Sequence, residues 1–256
     1  MLLKACSMDF VYKIRQELRD QSDPVRATHS RHYFKTEPGE NDEFLGVTVP
    51  KQRSIIKKYF KEMRPKTVVE LLHSTIHEER LTALIIWVLQ FKNGDERTKK
   101  LIYELYLENT QWINNWDLVD SSSSYIVGAY VYGKNESDIT KLSVSLNLWE
   151  RRIAIIATAY FIKRGDFNLT LQLAEQYIND SHHYIQKATG WMLREVGKKD
   201  EAVLRDFFDM NAKKMPRIML RYAIDRLPDS TRNAYICIFY TSDAADALRC
   251  VSLGGR

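Results

Sequence analysis

The sequence predicts an all-α protein built as a solenoid of helical hairpins, and three observations support this fold class. Apolar residues recur with helical periodicity along nearly the whole chain, and no stretch shows the strict alternation typical of half-buried strands. Only 10 Gly and 6 Pro punctuate the 256 residues, which is sparse for a protein made of many short strands. The apolar content of 45% is ample for a buried core, so a folded chain is predicted.

The predicted helices of the first half are short and closely spaced. An amphipathic helix over residues 8–20 opens the chain. Asp23 and Pro24 are predicted to be the N-cap and first residue of a second helix that ends near Phe34, because Asp accepts free N–H groups there and Pro needs no donor. "KTEPGENDEFLGVTVP" (35–50) is the clearest loop. Beyond it, helices are predicted over 50–63, 67–74, 77–91 and 95–109.

The second half begins with an irregular corner, "QWINNWDLVDSSSSYIVG" (111–128), and then returns to helices. These are predicted over 137–147, 148–165, 167–180, 181–200, 201–212 and 216–228. Helices of roughly 10–18 residues that follow one another across short turns, without a strict sequence repeat, are typical of a degenerate HEAT-like helical-hairpin solenoid. Such an α-α superhelix has a concave face, which we expect to be basic and to bind the ligand. A compact helical bundle is the alternative architecture.

Composition narrows the class of partner and the cellular location. The 38 Lys+Arg against 33 Asp+Glu give a net charge of +5, a mild excess that is compatible with an anionic partner. Cys6, Cys237 and Cys250 lack metal-type or disulfide-type spacing, which is typical of a reducing interior. The first residues form no signal peptide and no apolar run approaches a membrane span, so we expect a cytoplasmic protein that does not bind membranes.

The corner contains a pair of residues that could bind a cation. Trp116 and Asp120 are four residues apart and would share one helix face, with Trp112 one turn earlier in the same row. An aromatic face beside a carboxylate can bracket a positively charged ligand. Alternatively, the tryptophans are core residues and Asp120 caps a helix that begins at the serines.

Two later segments combine arginine or lysine with tryptophan. In "LWERRIAII", Arg152 lies beside an apolar stripe, where it can donate two N–H groups to a phosphate or pair with a neighbouring acidic residue. Arg151 is predicted to point toward solvent or a partner. In "YIQKATGWMLRE", Trp191 shares a face with Lys187 and Arg194. An aromatic flanked by cations suits a surface that follows a nucleic-acid backbone. The alternative is a half-buried Trp with neighbours that extend to solvent.

Metal and nucleotide sites are not predicted. His73 and His77 have the spacing of a helical metal pair, but no carboxylate-rich segment accompanies them, so both are expected to be surface histidines. Gly46 and Gly128 are isolated and form no phosphate-binding loop. We therefore expect a protein without metal or organic cofactor.

Taken together, these constellations resemble, in order and spacing, the AlkD-type DNA alkylation repair proteins, which are monomeric HEAT-like glycosylases. The resemblance covers roughly residues 10–235. The matching segments are "YFK…FLGVTVPKQR" (33–53), "INNWDLVD" (113–120), "LWERRIAII" (148–156), "YIQKATGWMLRE" (184–195) and "MPRIMLRYAI" (215–224).

The resemblance implies a role for particular residues. The family's catalytic aspartate falls on Asp120, its sugar- and lesion-facing tryptophans fall on Trp116 and Trp191, and its cleft arginine falls on Arg152. Tyr33 matches a cleft tyrosine, although the loop behind it is longer than the family pattern.

The resemblance also implies an activity. The implied activity is that of a DNA glycosylase in base excision repair. Such an enzyme hydrolyses the N-glycosidic bond of positively charged alkylated purines, 3-methyladenine and 7-methylguanine, in duplex DNA. Its partner is double-stranded DNA with alkylated bases, contacted by Lys187 and Arg194 among others, in a prokaryotic cytoplasm. Asn115 replaces an aromatic residue that is common in the family before the Trp-Asp pair. Two other hypotheses stay open: a non-catalytic HEAT-like protein that binds distorted or branched DNA, and a protein-interaction solenoid.

The predicted domain covers residues 1–239, and a tail follows it. "YTSDAADALRCVSLGGR" (240–256) has no helical period and resembles the translated read-through of a sequencing-library adapter. We expect this tail to be non-native and irregular.

Overall fold

Helices make up the regular secondary structure of the residues that this computed structural model describes, which are 2–34 and 42–241, with side chains described over 9–34 and 42–236. Within those ranges, extended pairing is limited to an isolated parallel bridge between Glu43 and Ile76. The helices fall into two compact units, residues 1–136 and 137–256. The all-α fold class is therefore confirmed, while one domain over residues 1–239 stays a prediction.

The first unit contains the helices predicted from the sequence periodicity, although the first of them, predicted over 8–20, begins earlier, at Leu2. Its helices are α1 (Leu2–Asp20), α2 (Pro24–Tyr33), α3 (Val49–Ile56), α4 (Pro65–Leu72), α5 (His77–Asn93), α6 (Glu96–Glu108), α7 (Trp116–Asp120) and α8 (Ala129–Val131). The helix predicted over 50–63 ends early, at Ile56, and turns continue the chain to Met63.

Helix α5 is the centre of the first unit. Its stretch from Leu81 to Trp87 is buried on every side, as expected of a helix whose apolar residues surround the axis. The fully buried Trp87 donates its indole N–H to the carbonyl oxygen of Pro65, 3.0 Å away, at the start of α4. The bond satisfies a polar group that would otherwise be costly to bury.

Helix α2 is attached by its ends. The Asp23 carboxylate accepts the N–H groups of Val25 and Arg26 at 3.1 and 3.0 Å, which confirms the predicted N-cap. Gly46 packs against this N-terminus with φ +77°, a conformation that side chains disfavour. A Cβ on Gly46 would lie 2.2 Å from the carbonyl oxygen of Asp23. No residue of α2 is buried, so contacts at its two ends hold it in place.

The second unit is built around α13. Its helices are α9 (Ser137–Ser143), α10 (Leu148–Ala157), α11 (Ala159–Ile162), α12 (Asn168–Gln176), α13 (His183–Lys199), α14 (Glu201–Asn211), α15 (Arg217–Ala223) and α16 (Asp229–Thr241). The continuous helix predicted over 148–165 is instead divided at Thr158, whose hydroxyl donates to the carbonyl oxygen of Ile155 at 2.7 Å. Of the predicted tail, residues 240 and 241 end α16 and residues 242–256 lie outside the described residues.

Gly190 determines how closely α13 and α15 approach. A Cβ at this position would lie 2.3 Å from the carbonyl oxygen of Met219 and 2.6 Å from the Cβ of Tyr222. Because only glycine leaves that space empty, the backbones of the two helices come into contact there. Trp191 and its charged neighbours are placed by this contact.

Candidate functional site

The corner at residues 110–131 is irregular, and its irregularity places Trp116. A 3-10 turn covers Thr110–Trp112, α7 covers Trp116–Asp120, and a π-helical turn covers Ser124–Gly128. Trp112 therefore does not continue the helical row of Trp116 and Asp120, as the spacing predicts, but stacks on His73 with ring centroids 4.8 Å apart.

Asn115 starts α7. Its side-chain oxygen accepts the backbone N–H of Trp116 at 2.8 Å, and the residue is 1% exposed. The departure from the family pattern at this position thus supplies an N-cap, which is a role that Asn performs well. The tryptophan that follows emerges from the first turn of a capped helix.

The ring of Trp116 lies against two aromatic residues from the end of α2. It stacks on Phe34 at a centroid distance of 5.4 Å with planes 20° apart, and the edge of Tyr33 meets it at 5.9 Å and 76°. Tyr33 is 68% exposed, so this aromatic surface reaches solvent. The structure therefore brings together Tyr33 and Trp116, and adds Phe34, which the sequence reasoning missed.

Asp120 ends α7, four residues after Trp116, and is half-buried. Its neighbour Tyr106 shares a hydrogen bond with the Ser122 hydroxyl at 2.9 Å. Burial raises the pKa of Tyr106, the Ser122 hydrogen bond opposes this, and the negative charge of Asp120 raises the pKa further. The carboxylate of Asp120 thus lies next to a phenol that stays neutral.

A buried charged network at the start of α5 was not predicted from the sequence. His77 is 2% exposed, so the expectation of a surface histidine is wrong for this residue. Its Nε2 lies 2.8 Å from Oδ2 of Asp117 and its Nδ1 lies 3.2 Å from Oδ2 of Asp42. Arg80 donates to the same Asp42 oxygen and to the carbonyl oxygen of Ser74. His77 therefore connects α5, α7 and the loop before Glu43.

The protonation of His77 follows from these neighbours. Burial by itself lowers the pKa of His77, but the charge and hydrogen bond of Asp117 and the hydrogen bond of Asp42 outweigh it and raise the pKa to about 9. The same network, with Arg80, holds the pKa of Asp42 below its usual value in spite of burial. Two carboxylates thus share two cations in the interior.

A signal for this network exists in the sequence. The stretch that follows His77 is apolar on all sides, which indicates a fully buried helix. The first turn of such a helix, "HEER" (77–80), must then be buried with it, and buried charges need partners. Glu78 illustrates the rule, because its carboxylate accepts the N–H groups of Leu45 and Gly46 at 3.0 and 2.7 Å.

In the second unit, the two arginines of α10 have different surroundings. Arg152 is buried and donates from Nη1 to the carbonyl oxygen of Tyr184, 2.6 Å away. Arg151 does not point to solvent, because its Nε donates to Asp180 at 2.8 Å and its Nη1 donates to the carbonyl oxygen of Ser145 at 2.9 Å. The assignment of Arg152 to DNA binding stays a prediction.

The predicted face of α13 lies beside α15. Trp191 is half-buried and donates its indole N–H to Glu195 at 3.1 Å. A groove, which we call the basic groove, opens along the two helices. It is lined by Lys187, Arg194, Ile218, Arg221, Tyr222 and Asp225.

The charges in the basic groove are only partly paired. Arg194 donates to Asp225 at 3.0 Å. Among the described residues, neither Lys187 nor Arg221 forms an ion pair. The structure thus brings Lys187 and Arg194 together, as the sequence predicts, and adds Arg221. This groove has a net positive charge that can attract an anion.

Neither a metal site nor a membrane span is found among the described residues. Over 9–34 and 42–236, where side chains are described, no group of three or more His, Cys, Asp or Glu side chains is placed to hold a metal ion. His73 is exposed and contacts Asn109, so it does not pair with His77. No helix in these ranges is both long and apolar enough to cross a membrane.

Comparison with known sequences gives a family match over most of the chain. The profile of the family described as "DNA alkylation repair enzyme" matches residues 14–227. No curated protein matches the chain.

Comparison with solved structures identifies the fold. A structure described as a predicted DNA alkylation repair enzyme from Enterococcus faecalis has a TM-score of 0.64 at 18% identity, over 82% of this chain and 98% of that one. AlkD2 from Streptococcus mutans has a TM-score of 0.54 at 18% identity, over 71% and 91%. The protein smu.31 from Streptococcus mutans UA159 has a TM-score of 0.54 at 16% identity, over 86% and 100%. At these identities the likeness shows the fold, and it confirms the predicted helical-repeat class.

Proposed function

Because this chain belongs to the family of DNA alkylation repair enzymes, we propose that it is a DNA glycosylase. It hydrolyses the N-glycosidic bond of positively charged alkylated purines, 3-methyladenine and 7-methylguanine, in duplex DNA. The observation that carries this proposal is the placement of Trp116 and Asp120 at the two ends of α7, beside the exposed ring of Tyr33. An aromatic surface and a carboxylate on one short helix suit a substrate whose positive charge is on the purine at first and on the sugar in the transition state.

The chemistry needs little help at the base. An N3- or N7-alkylated purine is already cationic, so it leaves with the electron pair of the bond to C1′ and becomes neutral. Positive charge then develops on the sugar, in an oxocarbenium-like transition state. The enzyme has to stabilise this sugar cation and bring water to it.

Asp120 is the residue that we assign to this step. Its carboxylate stabilises the sugar cation electrostatically and orients the water whose oxygen forms the new bond to C1′. The water proton passes to this carboxylate or to solvent, so the products are the free base and an abasic deoxyribose. Tyr106, which burial keeps neutral, adds no second negative charge beside Asp120.

The tryptophans complete the catalytic set. The face of Trp116 packs on the deoxyribose and favours its cationic form, and the contacts with Phe34 and Tyr33 keep that face from turning. The family resemblance assigns Trp191 to the sugar or the lesion as well, and within the second unit its bond to Glu195 anchors the indole. Both rings act without a cofactor.

The basic residues of the second unit bind the DNA backbone. Lys187 and Arg221 line the basic groove and have no carboxylate partner within the described part of the chain, so they can exchange solvent counterions for phosphates. Arg194, which Asp225 holds at the groove, and Arg152, which the Tyr184 carbonyl oxygen holds in place, are assigned to the DNA by the family resemblance. Such contacts fix the register of the DNA and carry no sequence information.

The test is release of free base from methylated duplex DNA. Wild type is expected to release 7-methylguanine or 3-methyladenine, and Asp120→Asn to lower the rate at least about 100-fold, because the amide cannot stabilise the sugar cation. Asp138→Asn, at a half-buried aspartate that pairs with Lys141, is the matched control and should retain wild-type activity.

Other outcomes separate the alternatives. DNA binding by wild type without release of either base would contradict the glycosylase proposal and favour a non-catalytic protein for distorted or branched DNA. Absence of DNA binding at moderate salt would contradict both and favour a protein-interaction solenoid.

A further inference from the structure

Both ring nitrogens of His77 face carboxylate oxygens. Nε2 is 2.8 Å from Asp117 and Nδ1 is 3.2 Å from Asp42. A neutral imidazole donates from only one nitrogen, whereas the imidazolium donates from both. Since ionised carboxylates only accept, the geometry itself calls for the doubly protonated ring at neutral pH.

Aromatic rings stabilise the same charge. The ring of His77 lies 4.8 Å from Phe34 with planes 32° apart, and 5.0 Å from Phe44 with planes 27° apart. A cation over an aromatic face within such distances is attracted by the ring. Arg80 disfavours the positive charge on His77, because its guanidinium is a second cation that shares Asp42.

Two routes lead from His77 to the proposed catalytic residues. The first runs through Asp117, which sits on α7 between Trp116 and Asp120 and bonds to His77. The second runs through Phe34, which stacks on His77 and on Trp116. The helix α7 has 5 residues, which is fewer than two turns, so outside contacts must set its orientation.

We propose that His77, as an imidazolium, is a positioning residue for base excision. Through Asp117 and Phe34 it fixes the orientations of the Trp116 ring and the Asp120 carboxylate. The proposal rests on the glycosylase function proposed above. His77 touches neither the base nor the sugar in this role. Loss of its charge therefore weakens the chemical step and leaves DNA affinity nearly intact.

The test separates the rate of the chemical step from binding. His77→Gln keeps a polar side chain but has no positive charge and cannot bridge two carboxylates. We expect the single-turnover rate of base release to fall about 10- to 100-fold, a size typical of misplacement by about 1 Å, while the Kd for the DNA changes less than about threefold. His73→Gln, at the exposed histidine that stacks on Trp112, is the matched control and should leave both values unchanged.

The pH profile gives a readout that a purely structural role would not move. The groups that face His77 are Asp117 from α7, Asp42 from the preceding loop and Arg80 from α5. Wild type should lose activity as the imidazolium deprotonates near pH 9. In the His77→Gln variant this alkaline limb should be absent, because nothing remains to titrate there.

A second variant and a measurement on wild type guard against misfolding. Asp117→Asn breaks the same link from the other side, and a double-mutant cycle with His77→Gln should show strongly non-additive losses. If either variant is unfolded by circular dichroism, NMR of the wild-type imidazole decides, with both N–H protons expected at pH 7.5.

Several results would overturn the proposal. They are a neutral His77 at pH 7.5, an unchanged chemical step in His77→Gln, or a loss that lies wholly in Kd. Because the NMR measurement needs no activity, it tests the imidazolium even if wild type releases no base, in which case the proposed function fails separately.

Discussion

Asp117 and Asp120 stand three residues apart on α7, yet their surroundings assign them different tasks. Asp117 lies against the imidazolium of His77, so its charge serves to hold α7 against α5. Asp120 lies beside the neutral phenol of Tyr106 and is half-buried. The same residue type thus serves as an anchor at one position and as the proposed catalytic group at the other.

At the residue scale, stability is expected to depend on alkaline pH through His77. Its folded pKa is raised from 6.5 to about 9, so its contribution is fully present below pH 6.5 and is lost as the pH rises through 9. The free energy of unfolding should fall by on the order of 3 kcal/mol across this window. Urea denaturation at several pH values measures it.

The matched variant for this prediction is His77→Gln. Its unfolding free energy should be lower at pH 6.5 and should change little between pH 6.5 and 9. A wild-type curve that is flat over this range would contradict the assignment of the raised pKa to His77.

At the scale of elements, close backbone contacts position the two candidate surfaces. Gly46 lets the loop before α3 contact the N-terminus of α2, which carries Tyr33 at its other end. Gly190 lets α13 contact α15, which together line the basic groove. In both places a methyl group would meet backbone atoms, which cannot rotate away as a side chain can.

Gly46→Ala is expected to destabilise the protein by roughly 2–4 kcal/mol, since it adds a clash with Asp23 to the strain of a positive φ. Gly133→Ala is the control: φ is +72° but nothing lies within 4 Å, so only about 1 kcal/mol of strain is expected. Thermal and urea unfolding compare the two variants. Equal losses would show that the contact with Asp23 contributes nothing.

Gly190→Ala is expected to cost about 1–3 kcal/mol and to weaken DNA binding, because α13 and α15 must separate. Gly197→Ala on the same helix is the control. Its Cβ would meet the end of the flexible Leu204 side chain, and alanine also favours the helix. Unfolding curves and DNA titrations should therefore distinguish the two substitutions, and similar behaviour would argue against a tight contact at Gly190.

At the scale of the whole molecule, the net charge of +5 is modest, so local placement of cations matters more than their number. Many of the described lysines and arginines form ion pairs, as Lys141 does with Asp138. Lys187 and Arg221 have none among the described residues and share one groove. We therefore expect salt-sensitive binding to depend on these two positions, because within the described part of the chain they present unpaired positive charge on one surface.

Lys187→Gln and Arg221→Gln are each expected to weaken binding to any duplex sequence and to reduce the slope of log K against log salt by about 1. Lys141→Gln should leave the slope unchanged, because its charge is already paired. Fluorescence anisotropy at several salt concentrations measures the slopes. If the slope of Lys187→Gln equals that of wild type, the basic groove does not bind phosphate.

Local patterns were enough to predict most helices and part of the candidate site. Asp23 and Pro24 marked the start of α2 because capping depends only on neighbouring residues. Spacing singled out Asp120, Trp116, Trp191 and Arg152 as candidates, the family resemblance assigned their roles, and these roles stay proposals. The break at Thr158 was missed because a single side-chain bond to the backbone decides it. His77 was misjudged because its partners are 35 and 40 residues away.

By itself, the sequence of this protein determined the helical class, most of the helix starts and the family, since periodicity, caps and motif order are properties of adjacent residues. Only the tertiary structure decided that Phe34 and Tyr33 contact Trp116, that His77 is a buried cation between two carboxylates, and that Lys187 and Arg221 share a groove. The physical reason is that burial and charge pairing depend on distances in space, and in each of these cases the partners come from segments far apart in the chain.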